Sequence, residues 1–99
     1  MPRLIALYNV PEDPAAFDTH YRDVHARSVE RYPELRDVRL TTPVGVAGRP
    51  APFHLMAEMS FDTDADLEAA LRSEAGIESA RDLRTFAGAG VTLFIAPDA

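Results

Sequence analysis

Leu4-Ile-Ala-Leu-Tyr-Asn-Val-Pro-Glu-Asp-Pro14 decides how this chain must be read. Leu4 to Tyr8 is a short apolar run of strand formers, broken by Asn9 and Pro11, and so predicts a first strand. Asp13-Pro14 follows at once. A side chain able to accept a backbone N–H, then a proline at the first helical position, is a strong helix start. A strand that passes through a tight turn into a helix opens an α+β layer.

Working outward, Phe17, Tyr21, Val24 and Ser28 recur at helical spacing and predict an inward stripe. Asp18 with Arg22, and Asp23 with Arg27, stand four apart and suit the wet side. Pro33 ends the helix near Tyr32. Leu35 to Thr42 predicts a second strand, closed by Pro43. Gly45 to Pro52 is rich in glycine and proline and predicts a loop, suited to a lid or a subunit contact. Phe53, Leu55, Ala57, Met59 and Phe61 alternate along a third strand. Thr63 to Asp66 resembles a capping box for a helix through Arg72, and Ser73 caps another through about Phe86. Gly88 and Gly90 then precede a fourth strand, Val91 to Ala96. The expected fold is a single α+β domain over residues 1–99: ferredoxin-like βαββαβ with a split second helix and a four-stranded antiparallel sheet.

Such a sheet carries helices on one face. In a monomer the other face meets water, and its strands alternate apolar with polar. Here Leu4, Ala6 and Tyr8 are opposed by Ile5 and Leu7, and Val91, Leu93 and Ile95 by Phe94 and Ala96, while Met56 sits beside His54 and Glu58. The surplus predicts a second copy closing over the bare face. A monomer whose central strands are covered by loops is the alternative.

Composition narrows the function. The net charge of −6, with 10 basic residues scattered among 16 acidic ones, disfavours nucleic acid. The chain has no cysteine, so disulfides and thiolate metal sites are excluded. No apolar run approaches the roughly 20 residues that span a bilayer, and the opening reads as a strand rather than a secretory leader. The expected compartment is the cytoplasm, with no membrane partner.

Three stretches together resemble the EthD family. These are the opening Leu4 to Pro14, the segment Phe17-Asp-Thr-His-Tyr-Arg-Asp-Val-His25, and Asp82-Leu-Arg-Thr-Phe-Ala-Gly-Ala-Gly-Val-Thr-Leu-Phe94. The resemblance implies a dimeric α/β barrel in which two sheets pack face to face, with a cleft between helices and sheet in each subunit. Its wider superfamily includes lactone isomerases, polyketide cyclases, cofactor-independent monooxygenases and haem enzymes. EthD proteins are themselves similar to an accessory component of ether degradation, and many carry a reductase label. Ala26, Arg27 and Ser28 depart from the small-Pro-Leu pattern that more often follows the family histidine, and Pro33-Glu34 departs from its Pro-Gly.

His25 is the leading candidate for acid–base work, since an imidazole titrates near neutrality. Tyr21, one turn earlier, is placed to orient it or to donate a proton. A histidine that only bonds a backbone carbonyl and fixes the packing is the competing reading. His20 lies five positions before His25, about 140° around an α-helix, so the two rings do not readily share a metal. His54 could line the cleft or the dimer interior, although a half-exposed histidine at a strand end is the more ordinary outcome. Tyr8, Tyr32 and Phe17 suit packing at the core edge, with Tyr8 and Phe17 as candidate substrate contacts. The resemblance to haem-degrading relatives implies a Trp and a second-helix His working with an Asn like Asn9, and this chain has no Trp and no His beyond His54. With no glycine-rich phosphate loop and no nucleophile elbow either, the expectation is neither metal nor cofactor. Two functions remain. One is an acid–base enzyme (isomerase, cyclase or dehydratase) with His25 as base and His20 or His54 as secondary contacts, acting on a small apolar carbonyl-bearing metabolite. The other is a non-catalytic binding or accessory protein for such a metabolite.

Overall fold

A computed structural model describes residues 1–98. The element order is β1 (Arg3–Tyr8), α1 (Pro14–His20), a wide π-type turn (Tyr21–His25), α2 (Ala26–Glu30), β2 (Asp37–Thr41), a short 3-10 turn (Val46–Gly48), β3 (Leu55–Ser60), α3 (Asp64–Arg72), α4 (Glu74–Phe86) and β4 (Val91–Ala96). The sheet runs β2-β3-β1-β4, and every neighbouring pair is antiparallel. This is the expected α+β ferredoxin-like arrangement with its second helix split.

The helix starts follow the side chains that cap them. Asp13 accepts the N–H of Ala16 at 3.1 Å, with Pro14 at the first position. Thr63 accepts the N–H of Asp66 at 3.1 Å, the forward half of the expected box. Ser73 accepts from Gly76 at 3.1 Å and donates to the Ala70 carbonyl, so one residue ends α3 and begins α4. The bend is tight. A Cβ on Gly76 would lie 2.3 Å from the Ala70 carbonyl oxygen, which is why glycine stands there.

One helical stripe differs from expectation. Val24 is 46 % exposed, and His25, 4 % exposed, takes its inward place. The cause is the π-type turn, in which the Ala26 N–H bonds to the Tyr21 carbonyl five residues back. The extra residue per turn moves the inward line from Val24 to His25. It also overturns the expected separation of His20 and His25, since five residues now make about one turn. The expected pairs four apart give way as well. Arg22 bonds the adjacent Asp23, Arg27 bonds the Asp23 backbone carbonyl, and Asp18 turns to His54.

Strand ends shift by one or two residues. β2 begins at Asp37 because Glu34 takes a left-handed conformation (φ 60°) and the chain turns before pairing. β3 begins at Leu55, although the His54 N–H still donates to the Tyr8 carbonyl at 2.8 Å.

Register assigns the two faces. Leu4, Ala6 and Tyr8 align with Met59, Ala57 and Leu55 and join Phe17, Tyr21, Val29, Leu67 and Ala70 in the core. Ile5 and Leu7 align with Glu58 and Met56 on one side and with Phe94 and Thr92 on the other, on the face without helices. There Arg3 pairs with Glu58 at 2.5 Å. Among the described residues no helix is long and apolar enough to cross a membrane.

Candidate functional site

The helices do not cover β4. Leu93 and Ile95, on the helical side of the sheet, stay 51 % and 43 % exposed and form the lip of a cleft of ≈ 380 Å³. Its floor is Leu4, Ala6, Ala57 and Met59, and its far wall is Ser79, Ala80 and Leu83 of α4. Tyr8, Tyr21, His25 and Tyr32 supply its polar groups. Among the described residues neither arginine nor a carboxylate lines it, so it suits an uncharged, largely apolar molecule.

His25 Nδ1 lies 3.0 Å from Asp82 Oδ2, and Nε2 lies 3.4 Å from the Tyr8 hydroxyl. A carboxylate only accepts, so Nδ1 carries the hydrogen and Nε2 keeps its lone pair. Burial lowers the pKa of His25, and the hydrogen bond and charge of Asp82 oppose that shift only in part. The ring is therefore neutral near pH 7, with its basic nitrogen at the cleft. Burial raises Tyr8 above the ordinary phenol range and pushes Tyr21 up to about 12, so both hydroxyls remain donors. Burial raises Tyr32 too, against the hydrogen bond it shares with Ser79.

Asp82 has a second partner. Its Oδ1 lies 2.7 Å from His20 Nε2, so one carboxylate holds two imidazoles. Phe86 packs on both rings, with centroids 4.9 Å from His20 and 4.8 Å from His25. His20 lines an open groove on the other side, together with Glu12, Asp13, Phe17 and Phe86.

The structure thus brings together His25, His20, Tyr8 and Tyr21. Tyr21 meets His25 ring to ring at 5.4 Å, and the hydrogen bond that orients the imidazole comes from Asp82. Phe17 sits in the aromatic cluster beside Tyr8, 5.3 Å between centroids, and fronts the outer groove rather than the cleft. His54 is half-buried, 2.7 Å from Asp18 and edge-on to Phe17, away from the cleft lining. Neither ring nitrogen of His25 is bound to backbone in the way the packing reading requires; both face side chains.

Asp82 escaped the sequence reading. The signal was available: Ala75, Ser79, Asp82 and Phe86 follow each other at helical spacing, which puts an acid on the stripe that faces the core. A carboxylate there needs a buried partner.

The EthD domain profile matches residues 10–90. A Rhodococcus erythropolis protein described as an uncharacterized 11.0 kDa protein in the thcB-thcC intergenic region is 33 % identical over 93 residues, 94 % of this chain and 90 % of that one. An EthD family protein from Bacillus halodurans is 41 % identical, with a TM-score of 0.93 over 100 % of this chain and 99 % of its own. At 15 % identity the fold is shared with a mutant form of SnoaB, a cofactor-independent oxygenase from Streptomyces nogalater (TM-score 0.72, 98 % and 91 % covered). At 8 % it is shared with a dimeric ferredoxin-like protein of unknown function from Bacteroides fragilis (TM-score 0.68, 98 % and 95 % covered). The profile spans the helix that carries both histidines and the helix that carries Asp82, and the chain belongs to the EthD domain family.

Proposed function

We propose that this protein is a cofactor-independent acid–base enzyme acting on a small, uncharged, carbonyl-bearing metabolite held in the cleft. One observation carries the reading: a buried imidazole, fixed by a carboxylate at Nδ1 and facing Tyr8 at Nε2, lines an apolar cavity. Nε2 removes a proton from the carbon beside the carbonyl, and the electron pair moves to the carbonyl oxygen as an enolate. Tyr8, kept as a phenol by burial, leaves its long contact with Nε2 and donates to that oxygen. Asp82 stabilises the imidazolium. Return of the proton to another carbon completes an isomerisation; loss of a β-hydroxyl as water completes a dehydration. The cofactor-independent chemistry named for SnoaB is compatible with a site of this kind, built from side chains alone.

The working unit in this reading is a homodimer. Ile5, Leu7, Met56 and Phe94 occupy the face without helices, and Phe94 is 45 % exposed. Ile5 is already buried within the subunit, so the gain, at about 25 cal/mol per Å², comes from covering Phe94 and the partly exposed Leu7 and Met56.

The non-catalytic reading has one observation in its favour: the Tyr8 hydroxyl already faces His25 Nε2, as in a ring fixed for packing. Native mass spectrometry of the protein incubated with a metabolite extract separates the two. The enzyme reading expects a carbonyl compound to be captured and converted, with conversion about 10²-fold or more slower in His25→Ala. Capture without conversion, unchanged in the variant, establishes the binding protein instead.

A further inference from the structure

The proposed base lies at the bottom of an apolar cleft, where water is a poor acceptor for the proton it takes. The structure provides a second side to this base. His25 opens on the cleft, His20 opens on the outer groove, and Asp82 joins them at 3.0 and 2.7 Å. The side chain of His25 is 5 % exposed and that of His20 26 %, so the pair spans interior and surface. Two imidazoles on opposite oxygens of one carboxylate titrate as a unit, because a charge on either ring is felt by the other.

We propose that His20, Asp82 and His25 form one proton-balancing unit, in which His25 gains a proton in the cleft as His20 releases one into the outer groove. This rests on the reading of His25 as a base. The exchange starts from the state in which the extra proton sits on His20, Asp82 is a carboxylate and His25 is neutral. Abstraction places the substrate's proton on His25 Nε2. A different proton leaves His20 Nδ1 for water in the groove, and Asp82 remains a carboxylate throughout. The charge of the trio is the same before and after, so the one new charge is that of the enolate, which faces the His25 imidazolium and the Tyr8 hydroxyl. His20 regains a proton from groove water when His25 gives its own back. No proton has to cross the carboxyl group.

The surroundings fit this exchange. Phe86 lies against both rings and can face a cation on either side. The titratable groups around the unit are Tyr8 and Tyr21 on the cleft side and Glu12 and Asp13 on the groove side. The phenols stay neutral. The proton affinity of His25 is lowered first by burial and further by the charge of His20, against the pull of Asp82. The π-type turn has a role here, since it is what sets both rings against one carboxylate. His20 is thus a positioning residue, acting through Asp82 on the base.

Ring-nitrogen NMR of the full-length protein across pH, without any substrate, tests the coupling. His20→Phe keeps a ring against Phe86 and removes the charge; His20→Gln keeps polarity and removes the charge. Both are expected to raise the proton affinity of His25 about tenfold. An unchanged or lowered midpoint for His25 in either folded variant overturns the proposal, because His20 would then act by packing alone. A rise in both variants together with unaltered turnover by His25→Ala would leave the coupled pair intact and defeat the reading of His25 as the base.

Discussion

At the scale of the residue, the chemistry rests on a carboxylate at the Nδ1 side of a buried ring. Removing it should be costly twice over. Asp82→Ala leaves His25 buried with an unpartnered Nδ1–H and is expected to lose about 1–3 kcal/mol in denaturant titration. Asp82→Asn keeps the shape but can present an N–H to Nδ1 and so favour the other tautomer; conversion of any substrate should fall steeply while the melting temperature falls less. The pH dependence has a definite sign. The folded pKa of His25 is depressed below its unfolded value of about 6.5. Its contribution to stability is therefore present above that pH and is lost as pH falls towards the folded pKa. Denaturant midpoints measured from pH 8 to 5 should decline in the wild type and flatten in His25→Phe. His25 was legible because an imidazole one turn after Tyr21 stands out in the sequence. Asp82 was not, because one acid among 16 looks like surface until the stripe on its own helix is drawn.

At the scale of the element, boundaries were readable wherever a side chain makes them. Asp13, Thr63 and Ser73 mark helix starts in the sequence and cap them in the structure. The π-type turn was not readable, since it leaves no composition signal and shifts the inward line by a single residue, from Val24 to His25. That one shift decides which residue is buried and whether two histidines can share an acid. The junction of α3 and α4 gives a sharp test. Gly76→Ala forces a Cβ against backbone carbonyls at 2.3 and 2.7 Å, and thermal or denaturant unfolding should show a loss of about 1–3 kcal/mol. Gly88 has open space at its Cβ, so Gly88→Ala should cost far less.

At the scale of the whole molecule, the missing apolar–polar alternation in the first and last strands identified a sheet with an apolar second face, and the register places Ile5, Leu7, Met56 and Phe94 there. Sedimentation of the wild type should show a dimer, and Leu7→Asp should yield folded monomers; a wild type that stays monomeric at high concentration would refute the pairing. Alkaline stability is a property of the aromatic core as a unit. Tyr8, Tyr21 and Tyr32 have raised pKa values, so their contribution holds below about pH 10 and is lost as pH rises towards the folded values, about 12 for Tyr21. The cleft itself was only half legible: its polar end follows from helix spacing, while its open lip at Leu93 and Ile95 depends on how far the helical layer reaches across the sheet. The central claim, that His25 removes a carbon-bound proton inside this cleft, is tested most directly in heavy water with a captured carbonyl ligand. Deuterium should enter at the carbon beside the carbonyl with the wild type and fail to enter with His25→Ala; equal incorporation by both proteins, or none by the wild type, would contradict it.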